Sequence, residues 1–495
     1  MAAKYKSPKH KLVKFFEGSR DTWKTRANKY HGELNNANNK LRYHKNKSKE
    51  LRSENKQLLG QIAELEKALA EAKKNQTSNY FSESIYGHTY SVGHVSSILN
   101  SILSSIGLRA SAKSMTNYSE ALNIIDLVPC WQTGRDWLLK LGLYKLNEPK
   151  EYSDDWVWIT DHSIQLGAEK VLLVLGIREK HIPAGRALTF DDLTTLGLYI
   201  SRNTNSEVVK AQLSEVADKY GSPMHIVSDG GPDLKRGIDD FIKTSSHTSF
   251  IYDIKHKIAI YLKKLLGKND SFLSFCELAA KSQGYMRQTD VAALAPPNQR
   301  SKSRFMNLDG LINWANKIIT LEPDKVKHLL DEQRFQRCLG WLSMYVSDID
   351  CWTRLIDIAE FSIKHIAENG IYRGLSEKLM FKFDGIACCP LSQQLAGLLV
   401  QDAAENEYKV KPGHKTVGSS DIIESVFGCF KNLEKQQSAS GFTSLVLAIP
   451  AMVGGVGNEI LKLAMENTKV KQVRNWITEN LGLSVQAKRK LCYAK

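Results

Sequence analysis

The sequence predicts a mixed α/β domain split by an all-α insertion and preceded by a basic helical arm, and three observations predict it. Segments alternating with period two and then with helical period follow the order βββαβαβα from Asp154 to Leu266, the order of a mixed sheet with helices on its faces. Helical periodicity then continues from 270 to 412, and a further helix opens near Asp421. Charge is concentrated: residues 1–49 hold 14 Lys/Arg against 3 Asp/Glu, a net of +11 within a total of +15.

That basic block suits a polyanion, because each phosphate neutralised releases counterions, and the aromatics within it (Tyr5, Phe15, Phe16, Trp23, Tyr30) are foreign to a purely solubilising tail. From Leu51 the pattern is heptad: Leu51, Leu58 and Leu65 repeat every seven residues with Asn55, Ile62 and Leu69 offset by four. This predicts a short coiled coil, hence a homodimer or higher oligomer, with Asn55 at an a position favouring a parallel pair, although three heptads also fit a single amphipathic helix packing on its own protein. After the polar Asn75–Asn79, a small helical unit is expected over 85–147, with an amphipathic Ser91–Ile106, a turn-rich Gly107–Tyr118 and a helix from Trp131. That last helix would expose Gln132, Thr133 and Arg135 at its start and bury Trp137, Leu138 and Leu141, as a helix-turn-helix recognition helix does, though a plain bundle predicts the same periodicity.

The strands are predicted at Trp156–Thr160, Lys170–Ile177 and either Arg186–Phe190 or Gly197–Ile200, then Met224–Ser228 and Ser249–Asp253. In the helical stretch the interruption Pro296–Arg304 reads as a phosphate-contacting loop through Arg300 and Arg304, with Lys302 between them. No apolar run approaches the 18–20 residues of a membrane span, and the first 20 residues are basic without an apolar core, so an intracellular protein with no membrane partner is expected, bacterial cytoplasm ahead of a nucleus. The 8 cysteines form no CxxC pair, so free thiols are expected and neither a zinc module nor a disulfide framework.

Two strand ends finish in a carboxylate after a buried apolar run: Trp158-Ile159-Thr160-Asp161 and His225-Ile226-Val227-Ser228-Asp229. Each alone is good turn or cap chemistry. Together with a third acid, Glu424 of the helix near Asp421, they form an oxygen donor set for Mg²⁺ or Mn²⁺. Lys431 and Lys435 follow Glu424 at i+7 and i+11, so phosphate contacts lie beside the acid, although Asp421-x-x-Glu424 also reads as a capping pair. Strand-end acid, strand-end acid and helix acid come in the order of an RNase H-like nucleotidyltransferase core.

At these residues the chain resembles the DDE transposases. Asp161, Asp229 and Glu424 match the triad, and Tyr252-Asp253-Ile254-Lys255-His256 resembles the C/D-x-x-H signature of the Mutator-like and hAT-like groups, which also carry an α-helical insertion before the Glu. The resemblance spans about 150–440 and departs in lacking a zinc-binding N-terminal module. It implies an RNase H-like (retroviral integrase-like) core in two parts, 150–268 and 416–495, split by an all-α insertion at 269–415. Before it come the arm and coiled coil (1–76) and the helical DNA-binding unit (85–147). It further implies a transposase that cuts double-stranded DNA at element ends and joins it to target DNA with two Mg²⁺ (or Mn²⁺) ions per site. Asp161 would bridge both metals, Asp229 and Glu424 would each complete one, and His256 would order the site or meet the scissile phosphate. His162, one residue on, is expected on the opposite strand face. In related insertions an aromatic stacks on a flipped base, which Trp314, Trp341 and Trp352 would offer if they are not core. The other readings are a catalytically silent DNA-binding protein and an RNase H-fold nuclease without strand transfer.

Overall fold

The computed structural model describes residues 8–76, 83–122, 127–166, 169–245, 247–299, 305–321, 332–436, 443–481 and 485–493. The chain divides into two units, Met1–Tyr80 and Phe81–Lys495. Among the described residues no helix is long and apolar enough to cross a membrane.

The first unit is one helix, α1 (Lys9–Gln76). The sequence separates a basic arm from heptads beginning at Leu51; the structure runs one helix through both, since no proline follows Pro8 to interrupt it. The heptad register therefore extends backwards, with Phe16, Trp23 and Tyr30 at the spacing of Leu51 and Leu58, and Val13, Leu34 and Leu41 at the spacing of Asn55 and Ile62. All nine of these apolar side chains are about half exposed or more.

In the second unit, α2 (Val92–Leu103), α3 (Leu108–Leu122) and α4 (Trp131–Asn147) come first. α3 occupies the stretch that reads as turn-rich. Its Ser, Asn and Lys residues decorate a helix whose inner side buries Ser111 and Met115, so tertiary packing overrides local turn preference. α4 is buried from Trp137 to Leu143 and packs against the segment from Ser444 to Ala451 and the helices α15 (Asn458–Asn467) and α16 (Val470–Leu481). Gly142 allows the approach: a Cβ there would lie 1.7 Å from the Leu447 carbonyl oxygen. α4 is thus built into the larger body.

The sheet has the strand order β3-β2-β1-β4-β5. β1 (Trp156–Leu166), β2 (Glu169–Arg178) and β3 (Thr194–Ser201) form an antiparallel meander, and β4 (His225–Ser228) and β5 (Ser249–Tyr252) continue parallel to β1. Of the two expected positions for the third strand, the later one holds the strand. Side chains alternate across the sheet. Trp156, Trp158, Leu172, Val174 and Ile226 pack under α5 (Ser206–Tyr220) and α6 (Pro232–Ile242), while Val157, Ile159, Leu173, Leu175 and Val227 belong to the main core on the other face.

After β5 come α7 (Ile254–Leu266), α8 (Asp270–Met286), α9 (Leu308–Ile319), α10 (Glu332–Cys338), α11 (Val346–Asn369), α12 (Leu375–Asp384) and α13 (Pro390–Glu407). A two-stranded ribbon, β6 (Ile371–Tyr372) with β7 (Lys415–Thr416), leads to α14 (Asp421–Glu434). Of the tryptophans that would meet a flipped base if they were not core, Trp352 is buried and Trp314 and Trp341 are partly buried against the core. Trp352 is 1% exposed, Trp314 donates to the Leu294 carbonyl, and Trp341 donates to Ser282 Oγ and the Cys338 carbonyl within an aromatic cluster with Phe275 and Tyr345. Cys351 of α11 and Cys389 before α13 form a disulfide where free thiols are expected. A pair 38 residues apart is invisible to spacing rules.

Candidate active site

The parallel register pairs Val157 with His225 and Ile159 with Val227. Two residues further along stand Asp161, on β1, and Asp229, directly after β4, so register sets the two carboxylates side by side. Both share the face of Ile159 and Val227 by the period of two. Asp229 Oδ1 accepts from the Gly231 N–H at 2.9 Å, and Gly230 takes φ +74°, where a Cβ would meet the Tyr252 ring at 2.4 Å. The Gly-Gly pair therefore lets the chain turn straight off β4 into α6.

Glu424 reaches this corner from the first turn of α14. A buried carboxylate fixes that turn. Asp253, 0% exposed, accepts from the His256 N–H at 2.8 Å and from His256 Nδ1 at 2.9 Å, while its other oxygen accepts from the Ser420 N–H at 2.6 Å. One side chain so caps α7 and ties it to the residue before α14. A backbone bond from Ile254 N–H to the Gly418 carbonyl, 3.1 Å, reinforces the junction. His256 Nε2 lies 3.7 Å from Glu424 Oε1, and Lys255 Nζ lies 3.8 Å from Glu424 Oε2 and 3.1 Å from Asp421 Oδ1.

The electrostatics follow from this crowding. Burial, and next the charge of Asp229, push the Asp161 carboxyl up to about 7; Glu424 adds to the rise, and the His162 N–H, which donates to Asp161 at 2.6 Å, opposes it. Burial raises Glu424 too, against the pull of Lys255 and His256. The hydrogen bond to Asp253 raises His256 above its ordinary value in spite of burial. Burial pushes Asp253 upward, but its hydrogen bonds from His256 and Ser420 hold it below the ordinary carboxylate value. Burial, and next the charge of Lys170, lower His162 to about 4, against the pull of Asp229 and Asp233.

The donor set fits a hard divalent cation, being all carboxylate oxygen under mutual repulsion strong enough to favour a proton on Asp161. The nearby cations serve the acids unequally: Lys255 lies between Asp421 and Glu424, and His256 is bonded to Asp253 with its other nitrogen towards Glu424, while neither forms an ion pair with Asp161 or Asp229. The three acids face one another without closing into a cage. Among the described residues no group of three or more His, Cys, Asp and Glu is close enough to hold a metal ion, and Glu424 leans towards Lys255 and His256.

Asp161, Asp229, Glu424 and His256 are thus brought to one corner. Lys431 on α14 and Lys435 directly after it are exposed. Gln132, Thr133 and Arg135 lie at the start of α4, where Gln132 is exposed and Arg135 donates to Ser444 Oγ. Arg300, Lys302 and Arg304 lie outside the described residues. Sequence reading missed Lys255 and gave Asp253 only as part of a signature. The signal present was Asp253 directly after a buried strand and three residues before His256, the spacing of a helix cap.

Asp253→Ala is expected to destabilise the protein by about 3 kcal/mol, since it removes a cap and orphans the buried Ser420 N–H. Asp253→Asn, keeping one acceptor oxygen, should cost less than half as much. Urea unfolding of the two variants checks this, and equal costs would mean that the hydrogen bonds do not carry the junction.

No protein-family model matches the chain, and no curated protein sequence does. Among solved structures the chain is similar to the Drosophila P element transposase strand transfer complex, at 13% identity and a TM-score of 0.38, covering 77% of this chain and 93% of that one. It is also similar to the HTLV-2 integrase catalytic core domain in complex with magnesium (trimeric form), at 14% identity and a TM-score of 0.15, covering 35% of this chain and 94% of that one.

Proposed function

We propose that the protein is a metal-dependent DNA strand transferase of the DDE type, with an RNase H-like core split by the helical segment 269–415, acting on the ends of a mobile DNA element. The observation that carries this reading is the β1–β4 register, which sets Asp161 beside Asp229 on the face that Glu424 approaches from α14. Asp161, Asp229 and Glu424 would hold Mg²⁺ or Mn²⁺. When bound, two such ions supply an activated water or 3′-hydroxyl and stabilise the leaving oxygen.

The chain's own residues do the rest. Asp253 holds His256 by Nδ1 and favours its cationic form, leaving Nε2 turned to the corner where a scissile phosphate would lie. Lys255, beside Asp421 and Glu424, adds a second positive charge there, and Lys431 and Lys435 extend it along α14. The start of α4 and the basic half of α1 offer further contacts to double-stranded DNA. Glu424 is held by Lys255 and His256, and this favours the second reading, a DNA-binding protein that no longer cuts. DNA incubated with the purified chain in Mg²⁺, Mn²⁺, Ca²⁺ and EDTA separates the two. Cutting and joining in Mg²⁺ or Mn²⁺ support the proposal, cutting alone leaves a nuclease, and binding without cutting in any metal leaves the silent protein.

The same proposal makes the protein a dimer through α1. Ten apolar side chains at heptad spacing over Val13–Leu65 are exposed on a single helix, and a second copy of α1 would cover them. Leu58→Lys with Ile62→Lys is expected to weaken self-association by 100-fold or more, at about 1.5–3 kcal/mol for each apolar side chain left unburied in each copy. Sedimentation equilibrium reads it; an unchanged mass would place the self-association, or its absence, outside this seam.

A further inference from the structure

Where α14 ends, away from the carboxylates, the body holds a cavity of about 530 Å³ lined by Arg109, Trp131, Arg135, Leu433, Gln436 and Leu445, with Gly107, Leu108 and Ala110. None of these residues is an acid. Arg109, the second residue of α3 and itself exposed, lies with its guanidinium 4.9 Å from the Trp131 ring centroid. That contact places the cation over the indole face, and the guanidinium keeps its N–H groups as hydrogen-bond donors. Arg135 is half-buried, is anchored by its hydrogen bond to Ser444 Oγ, and has its nearest acid, Asp136, 3.8 Å away. Gln436 adds a carboxamide, which glycine at 107 accommodates: a Cβ there would lie 2.2 Å from Gln436 Oε1.

Two guanidiniums placed by an indole and a hydroxyl around one cavity without a carboxylate form a planar donor set for phosphate oxygens. Their placement relative to the acids gives a direction. α14 carries Glu424 in its first turn, and Leu433 near its last turn lines the cavity, so the two sites are about 14 Å apart along the helix.

We infer that the cavity formed by Arg109, Trp131, Arg135 and Gln436 is a phosphate-binding site for the backbone of DNA. The inference deepens the reading of the start of α4 as a DNA contact and does not depend on chemistry at the carboxylates.

Arginine footprinting of the full-length protein in EDTA tests the site without any chemistry at the carboxylates. A mixed-sequence DNA duplex is added to saturation, phenylglyoxal modifies the accessible guanidiniums, and the peptides are weighed. Arg109 and Arg135 should be protected at least threefold while Arg354, held on α11 by Asp350 and Asp357, reacts as before. Arg109→Ala, at an exposed side chain, should weaken DNA binding about tenfold at physiological salt and lower the slope of log affinity against log salt by about 0.9. Arg109→Lys should restore the slope, because it restores the charge. Unprotected arginines at saturating DNA, or a slope unchanged in Arg109→Ala, would overturn the inference, as would protection by inorganic phosphate or a mononucleotide with none by DNA. Because Asp229→Asn should give the same footprint, failure of the catalytic reading would leave this result standing.

Discussion

Asp229→Asn is expected to lower Mg²⁺-dependent DNA cleavage by about 10³-fold or more while leaving DNA affinity within about twofold. The carboxylate stands off the end of β4 beside Asp161, and its amide replacement is nearly isosteric. The turn would survive, because the bond from the Gly231 N–H to Asp229 Oδ1 needs only an oxygen. What is lost is a charge, and with it a ligand to a hard cation whose stabilisation of a phosphoryl transfer is worth several kcal/mol. Cleavage assays in Mg²⁺ and in Mn²⁺, with binding measured in Ca²⁺, separate the terms. Wild-type rates in the variant would make the acid a cap of the Asp229-Gly230-Gly231 turn and nothing more.

Asp161→Asn is expected to make the metal-free protein more stable at pH 8, by up to about 4 kcal/mol, with the difference vanishing below pH 4. The carboxyl titrates at about 7 in the folded protein against an ordinary 3.8, because it is buried and faces Asp229 and Glu424, with His256 and the His162 N–H opposing. As pH rises from about 4 to 7 the unfolded chain gives up this proton and the folded chain keeps it. Folded stability then falls by about 1.4 kcal/mol per pH unit, and the loss is complete above pH 7. The asparagine removes that titration. Urea unfolding in EDTA at pH 4, 6 and 8 measures it, and a stability difference that is flat across the range would mean that the acids are too far apart or too well solvated to repel. Mg²⁺ should narrow the difference at pH 8, since a cation bound only by the folded state stabilises it.

The β meander, the parallel β4 and β5, and the helices between them are legible in the sequence because sheet and helix write different periods into hydrophobicity, and Trp156–Ile159 and Val171–Leu175 alternate between two cores as a buried sheet requires. The acids are legible for a related reason, since each follows a buried run directly. Elsewhere local signals were too weak. The Ser, Asn and Lys residues of α3 are indistinguishable from loop residues until Met115 has something to pack against. Arg186–Phe190 and Gly197–Ile200 are near equals as a third strand until pairing with β2 selects the second. Phe16, Trp23 and Tyr30 pass for isolated aromatics in a basic arm until α1 is seen to be one helix.

Composition and period by themselves determined the basic N-terminal segment, the order of strands and helices, and which acids end strands or open helices, because these follow from a residue's neighbours along the chain. Only the tertiary structure decided what depends on neighbours across space. The β1–β4 register is what sets Asp161 beside Asp229. The buried Asp253 ties α7 to Ser420 and delivers Glu424 to the same corner across more than 160 residues of chain. Arg109, Trp131 and Arg135 meet at the end of α14 for the same reason. Charge repulsion, desolvation and hydrogen bonding act over a few ångströms of space, and sequence distance carries no information about them until the chain is folded.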